Sequence, residues 1–133
     1  MELEIKKIIH LNDDSAFLSF CRTLLEKDGY EVQSFFGTPK ALKYLAEMPR
    51  LPALIIIDGK MPDMDGPDFL KLLKEKLPNL FEHTVILGFS SHSNDSPIAK
   101  DFRALGAEFE TKPDTIEEFL ALIHFYLKKP VYV

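Results

Sequence analysis

The sequence predicts an α/β fold, (βα)5, in which a doubly wound parallel sheet of five strands carries helices on both faces. Apolar stretches typical of buried strands alternate with stretches in which apolar residues recur every three or four positions, and this pair occurs five times. Strands that alternate with helices pair in parallel, because each connecting helix crosses over the sheet. A length of 133 residues is usual for one domain, so we expect a single domain over residues 1–133.

Five stretches have the composition of strands in such a sheet. Residues 6–11 are predicted to form a short buried strand, and residues 53–57 and 84–89 are apolar with few interruptions, as in strands that are covered by helices. Residues 30–35 alternate between apolar and polar side chains, and residues 108–111 make a short last strand.

The five helices are predicted from apolar spacing over residues 15–27, 38–48, 67–77, 96–107 and 115–129. Two of them have clear start signals. Pro39 stands at a first helical position after a capping threonine, and Thr115 with Glu118 three residues later forms a capping box. Gly29 and Gly106 follow helices and are typical of helix ends.

Composition excludes several classes of protein. A net charge of −5 argues against binding to a phosphate backbone, so we expect no direct nucleic-acid contact. There is no apolar stretch of about 18 residues and no secretory leader, so we expect no membrane span and a cytoplasmic location. Cys21 is the sole cysteine, which rules out an internal disulfide.

Polar residues follow the predicted strands at the places where ligands bind in such sheets, outside the carboxyl ends of the strands. They are Asn12, Asp13 and Asp14 after the first strand, Asp58 after the third, Ser90 and Ser91 after the fourth, and Lys112 after the fifth. Carboxylates gathered at one edge repel one another unless a cation lies between them, and oxygen ligands suit Mg²⁺.

These residue types are also those that phosphoryl transfer needs. An aspartate can attack a phosphoryl group to form an acyl phosphate, while a lysine, a hydroxyl and a metal ion neutralise the phosphoryl oxygens. The residues themselves therefore lead to the hypothesis that Asp58 is phosphorylated in a Mg²⁺-dependent step.

The chain resembles a response-regulator receiver domain of two-component signalling over residues 7–127. The resemblance is carried by the pair Asp13-Asp14, by Asp58 followed by the segment MPDMDG, by Ser90 and by Lys112-Pro113. It implies a CheY-like, flavodoxin-like fold with strand order 2-1-3-4-5.

The resemblance also implies roles for individual residues. Asp58 would be the phospho-acceptor, and Asp13, Asp14, Asp58 and the backbone carbonyl of Lys60 would hold Mg²⁺. Lys112 would pair with the phosphoryl group, Ser90 would move to contact it, and Phe109 would turn inward as the switch aromatic. The Lys112–Pro113 peptide bond is commonly cis in this family.

The expected partners follow from the same resemblance. A sensor histidine kinase or a phosphotransfer protein would donate the phosphoryl group, and the domain would promote its own phosphorylation and dephosphorylation without being a turnover enzyme. Only PVYV follows Lys129, so we expect the signal to pass to a downstream protein partner. A homodimer would form through the predicted fourth helix, the fifth strand and the last helix.

Some positions depart from the family pattern or allow simpler interpretations. Asn12 and Ser91 replace residues that are more usual in the family, and the resemblance implies that Lys60 and His92 stand at positions that tune the loss of phosphate. The two acids after the first strand could simply cap the first helix, Ser90 could be an ordinary strand-end hydroxyl, and Phe109 could be ordinary core packing.

Two other functions compete with the phospho-acceptor hypothesis. The first is a receiver-like interaction module that does not depend on phosphorylation. The second is a Mg²⁺-dependent phosphatase, which lacks its second acid because Lys60 stands there. Asp63 and Asp65 are expected to shape a loop, and the four histidines are expected to lie at the surface or partly buried.

Overall fold

A five-stranded parallel sheet is the centre of the computed structural model, which describes residues 5–128. The strands are β1 (Lys7–Leu11), β2 (Glu31–Phe35), β3 (Leu54–Asp58), β4 (Val85–Ser90) and β5 (Glu108–Thr111). Their order is β2-β1-β3-β4-β5, and every neighbouring pair is parallel. The predicted fold class and strand order are therefore confirmed.

Helices connect the strands. They are α1 (Ser15–Lys27), α2 (Thr38–Glu47), α3 (Gly66–Lys76), α4 (Leu80–His83), α5 (Pro97–Ala104) and α6 (Ile116–Leu127). The predicted first, second and third helices correspond to α1, α2 and α3, and the predicted fourth and fifth correspond to α5 and α6. The single turn α4 was not predicted. None of the described helices is long and apolar enough to cross a membrane.

The strands separate two apolar layers. Alternate residues of β3 point to opposite faces, so that Ile55 and Ile57 join one layer while Leu54 and Ile56 join the other. Residues of α2, α3 and α5 pack in the first layer, and residues of α1 and α6 pack in the second. Helices on both faces explain why the central strands are apolar almost throughout.

The strand register brings the carboxyl ends of the central strands to one edge of the sheet. Leu11 lies opposite Ile57, Asp58 opposite Phe89, and Ser90 opposite Thr111. Asn12, Asp58, Ser90 and Lys112 therefore stand within about one residue of a common line. The fold itself gathers the residues from which the function was inferred.

His10 contradicts the expectation that the histidines lie near the surface. It belongs to β1, which has neighbours on both sides and helices on both faces, and its side chain is 0% exposed. Burial, together with the positive charge of Lys112, lowers the pKa of His10 to about 3. The imidazole is therefore neutral, and its ring meets Phe17 edge-on at 5.9 Å between centroids.

Candidate functional site

Asp58 and Lys112 form the charged centre of the carboxyl edge. Asp58 is the last residue of β3, and its carboxylate Oδ1 lies 3.4 Å from the Nζ of Lys112. The Lys112 amide donates a hydrogen bond of 2.8 Å to the carbonyl of Ser90, so the pairing of β4 with β5 continues one residue further. This backbone contact holds Lys112 beside Asp58 and Ser90.

The environment of Asp58 works against its ionised form. Burial raises the pKa of Asp58 above its ordinary value of 3.8, and the negative charge of Asp13 acts in the same direction. The charge and hydrogen bond of Lys112 and the backbone amide of Lys60 oppose this rise in pKa without cancelling it. Asp58 is therefore a buried carboxylate with one strong cationic partner and an unfavourable acidic neighbour.

The acidic pair after β1 divides into two roles. Asp14 is the N-cap of α1, and its Oδ1 accepts hydrogen bonds from the amides of Ala16 at 3.0 Å and Phe17 at 3.1 Å. Asp13 is exposed and influences Asp58 through its charge. The capping interpretation thus describes Asp14 correctly. Both capping bonds end on Oδ1, and Oδ2 takes part in neither of them.

Asn12 lies under this loop. Its side chain is 1% exposed, and its Oδ1 accepts a hydrogen bond of 2.9 Å from the amide of Asp14. Its buried Nδ2 has no hydrogen-bond partner within residues 5–128. Asn12 therefore shapes the turn that presents the two acids.

The predicted Mg²⁺ ligands are not gathered into a ready metal centre. No group of three or more histidine, cysteine, aspartate or glutamate side chains is placed to hold a metal ion in the described part of the chain. The physical reasons are that Asp14 is turned toward the helix amides and that Asp13 and Asp58 repel each other. The donor chemistry nevertheless fits a hard divalent cation, because these oxygens are its preferred ligands and its charge would relieve that repulsion.

Ser90 lies directly beside the residue that follows Asp58. Its side chain is 4% exposed, and a Cβ added to Gly59 would come within 3.3 Å of its Oγ. The same added atom would lie 2.7 Å from Ile98, which explains why a glycine stands at position 59. The serine hydroxyl thus lies beside the backbone that directly follows Asp58.

The partner of Ser90 was not predicted. Its Oγ lies 2.6 Å from Nδ1 of His92 and accepts a weaker bond of 3.3 Å from the His92 amide. The sequence offered one signal for this contact, the spacing of two residues between a strand-end hydroxyl and an imidazole.

Phe109 is already inside the protein. Its side chain is 3% exposed, its ring centroid lies 5.9 Å from that of Phe102, and the guanidinium of Arg103 lies 5.8 Å from the ring. The structure therefore places the predicted switch aromatic inward while the Ser90 hydroxyl bonds to His92.

The Lys112–Pro113 peptide bond is not in the cis form that the resemblance implied. None of the peptide bonds described in the structure is cis, so this one is trans, which is the ordinary preference of X–Pro bonds.

The loop after Asp58 has the structural role that was expected of its acids. Asp65 caps α3 by accepting a bond of 2.8 Å from the amide of Asp68, and Asp63 accepts hydrogen bonds from the amide and hydroxyl of Thr38. Lys60 is exposed and bridges to Asp65 through the backbone. The side chains of Asp63 and Asp65 thus stabilise the loop through hydrogen bonds.

Sequence comparison identifies the family. A family model described as a response regulator receiver domain matches residues 8–124. The response regulator protein TodT of Pseudomonas putida is 33% identical over 119 residues, which are 89% of this chain and 49% of that protein. The chain thus spans about half the length of this relative.

Comparison with solved structures agrees with the topology. The chemotaxis response regulator CheY4 of Vibrio cholerae has a TM-score of 0.79 at 25% identity, with 93% of this chain and 100% of that chain covered. A beryllofluoride-activated NtrC4 receiver domain dimer has a TM-score of 0.76 at 27% identity, with 93% and 98% covered. The chain belongs to the response regulator receiver domains of two-component signalling.

Proposed function

We propose that Asp58 accepts a phosphoryl group and that the modified domain signals through a protein-binding face. The single observation that carries this proposal is the buried Asp58 carboxylate, 3.4 Å from Lys112, at the carboxyl edge of a receiver domain. A sensor histidine kinase or a phosphotransfer protein would supply the phosphoryl group from a phosphohistidine.

The reaction follows from the groups at this edge. A carboxylate oxygen of Asp58 attacks phosphorus, the phosphorus–nitrogen bond of the donor breaks, and its electron pair returns to the donor imidazole, which takes up a proton. Lys112 neutralises charge on the phosphoryl oxygens, and the hydroxyl of Ser90 donates a hydrogen bond to one of them. Water later hydrolyses the acyl phosphate and restores the carboxylate.

Mg²⁺ fits this reaction through the oxygen-rich donor set. Asp13, Asp14, Asp58 and the backbone carbonyl of Lys60 would hold it, and when bound it would supply positive charge to the phosphoryl oxygens. Because Asp14 caps α1 with one oxygen alone, its second oxygen can serve the ion without uncapping the helix.

The face formed by α5, β5 and α6 is the proposed output surface. Phe125 on α6 is 73% exposed, and Tyr126 donates a hydrogen bond to Glu110 of β5. Arg103 of α5 covers Phe109 of β5, so the three elements are joined by side-chain contacts. Either a downstream protein or a second copy of the chain would bind here, as the activated NtrC4 receiver is itself a dimer.

A second function has specific support. Within residues 5–128 the acids are not gathered for a metal ion, Asp14 is engaged as a helix cap, and Phe109 is already buried. These three features suit an interaction module whose binding face does not depend on phosphorylation. The two functions differ in whether Asp58 reacts.

Intact mass spectrometry separates the two functions. With Mg²⁺ and an excess of acetyl phosphate, the wild-type chain is expected to gain the mass of one phosphate. The Asp58→Asn variant should gain none, because the amide nitrogen cannot replace the attacking carboxylate oxygen. Asp101→Asn, which changes an exposed carboxylate of α5, is the matched control and should react like wild type. An unchanged wild-type mass at saturating donor would favour the interaction module.

A further inference from the structure

The hydrogen bond between Ser90 and His92 has a consequence for the activated state. We propose that His92 is a positioning residue that holds the Ser90 hydroxyl and competes with a phosphoryl group on Asp58 for it. The proposal rests on the phosphoryl-transfer function above and concerns the regulation of the same site.

The hydroxyl of Ser90 has a single proton and is committed to His92. Its Oγ accepts the His92 amide at 3.3 Å and lies 2.6 Å from Nδ1 of the same residue. If Nδ1 carried a proton, the Ser90 oxygen would accept a hydrogen bond from the ring as well as from the amide of His92. The proton of the hydroxyl would then have no acceptor in His92, although the side chain is only 4% exposed. We therefore assign Nδ1 as the acceptor, with the ring proton on Nε2.

The loop that carries His92 is held in place from both neighbouring elements. Thr111 of β5 donates a hydrogen bond of 2.7 Å from its hydroxyl to the carbonyl of His92. Arg103 of α5 donates one of 2.6 Å to the carbonyl of Asn94. The backbone therefore presents the imidazole to Ser90, while the exposed ring has room to turn outward when the hydroxyl leaves it.

The two uses of the hydroxyl exclude each other. Ser90 Oγ lies beside Gly59, directly after Asp58, so a change of the serine rotamer can redirect its proton toward a phosphoryl oxygen. One proton cannot bond to His92 and to that oxygen with full strength at the same time. Each phosphoryl contact thus costs the bond to His92, and His92 weakens the activated state.

Beryllofluoride with Mg²⁺ serves as the phosphoryl mimic in the test. His92→Ala removes the competing acceptor and is expected to lower the Kd for the mimic by roughly two- to tenfold, the range of one net hydrogen bond. His92→Asn keeps an acceptor near the position of Nδ1 and should retain a Kd close to that of wild type. In a Ser90→Ala background, His92→Ala should leave the Kd unchanged, because no hydroxyl remains to compete for.

Three results would overturn the proposal. An unchanged Kd in His92→Ala would show that there is no competition, and the same decrease in the Ser90→Ala background would show that the effect does not pass through the hydroxyl. Long-range ¹H–¹⁵N spectra of the neutral ring test the contact without any phosphoryl mimic. They should place the proton on Nε2, and a proton on Nδ1 would contradict the assignment.

Failure of the phosphoryl-transfer function would look different. In that case wild type would bind no beryllofluoride at all, while the ring spectra would still report the contact between Ser90 and His92. Binding by wild type together with an unresponsive His92→Ala variant would leave phosphoryl transfer intact and overturn the competition alone.

Discussion

Asp58 owes its chemical character to its position at the end of a buried strand. Burial removes the carboxylate from water and raises its pKa, and the charge of Lys112 only partly offsets this rise in pKa. A buried charge with incomplete compensation is typical of a functional site, because residues chosen for stability alone would not create it.

The first prediction concerns the stability of the Asp58→Asn variant. The pKa of Asp58 is raised in the folded protein, so the free energy of unfolding falls as the pH rises from the unfolded to the folded pKa. The variant has no charge to bury and should be more stable than wild type at neutral pH. The gain should disappear below pH 3.8, the ordinary aspartate pKa, where both states are protonated.

Urea unfolding at the two pH values measures this difference. Asp101→Asn, with its carboxylate on the surface of α5, controls for the loss of one negative charge from an acidic chain. A variant that is less stable than wild type at neutral pH would show that the pair with Lys112 outweighs the cost of burial.

The sequence predicted those site residues whose location is determined by the end of a strand. Asp58, Ser90 and Lys112 were predicted from their places after apolar stretches, and the structure brings them to one corner. The orientation of Asp14 and the contact of His92 depend on rotamers and on loop backbone, which strand periodicity does not report.

At the scale of elements, α6 shows how local sequence determines a helix start beside the site. The hydroxyl of Thr115 accepts a bond of 3.1 Å from the amide of Glu118, as the capping box predicted. Thr115 stands three residues after Lys112, so this cap also ends the loop that carries the lysine.

The second prediction concerns this cap. Thr115→Ala leaves the amide of Glu118 without its side-chain acceptor and should lower the free energy of unfolding by about 1 kcal/mol. Thr115→Ser keeps the hydroxyl and should retain most of the stability. Chemical denaturation of the three proteins provides the comparison, and equal losses in both variants would mean that the methyl group matters and the cap does not.

The elements that were missed lacked a periodic signal. The helix α4 is four residues long, and one turn is too short to show helical spacing.

The position of His10 was misjudged because a polar residue suggests exposure, whereas β1 lies between two strands and two helical layers. The continuous apolar character around it was the better guide.

At the scale of the whole molecule, the site and the proposed output face share β5. Lys112 directly follows this strand, Thr111 holds the loop of His92, and Phe109 packs against α5. These contacts connect the site to the proposed face, and a change at Asp58 would reach the face through them.

The third prediction tests this connection by NMR. Beryllofluoride with Mg²⁺ should shift amide signals at Ser90 and at Phe109, and along α5 and β5, because the hydroxyl of Ser90 is redirected and its loop is bonded to both elements. Signals at the far end of α1, near Lys27, should remain in place. Changes confined to Asp13, Asp58 and Lys60 would show that the site binds the mimic without moving the face.

The central claim is that Asp58 itself becomes an acyl phosphate, and chemical trapping tests it most directly. Borohydride reduces an aspartyl phosphate to homoserine, which peptide mass spectrometry locates in the sequence. After treatment with acetyl phosphate and Mg²⁺, we predict homoserine at position 58 and aspartate at positions 13, 14, 63 and 65. Unmodified aspartate at position 58, or homoserine at any of the other four positions, would contradict the account.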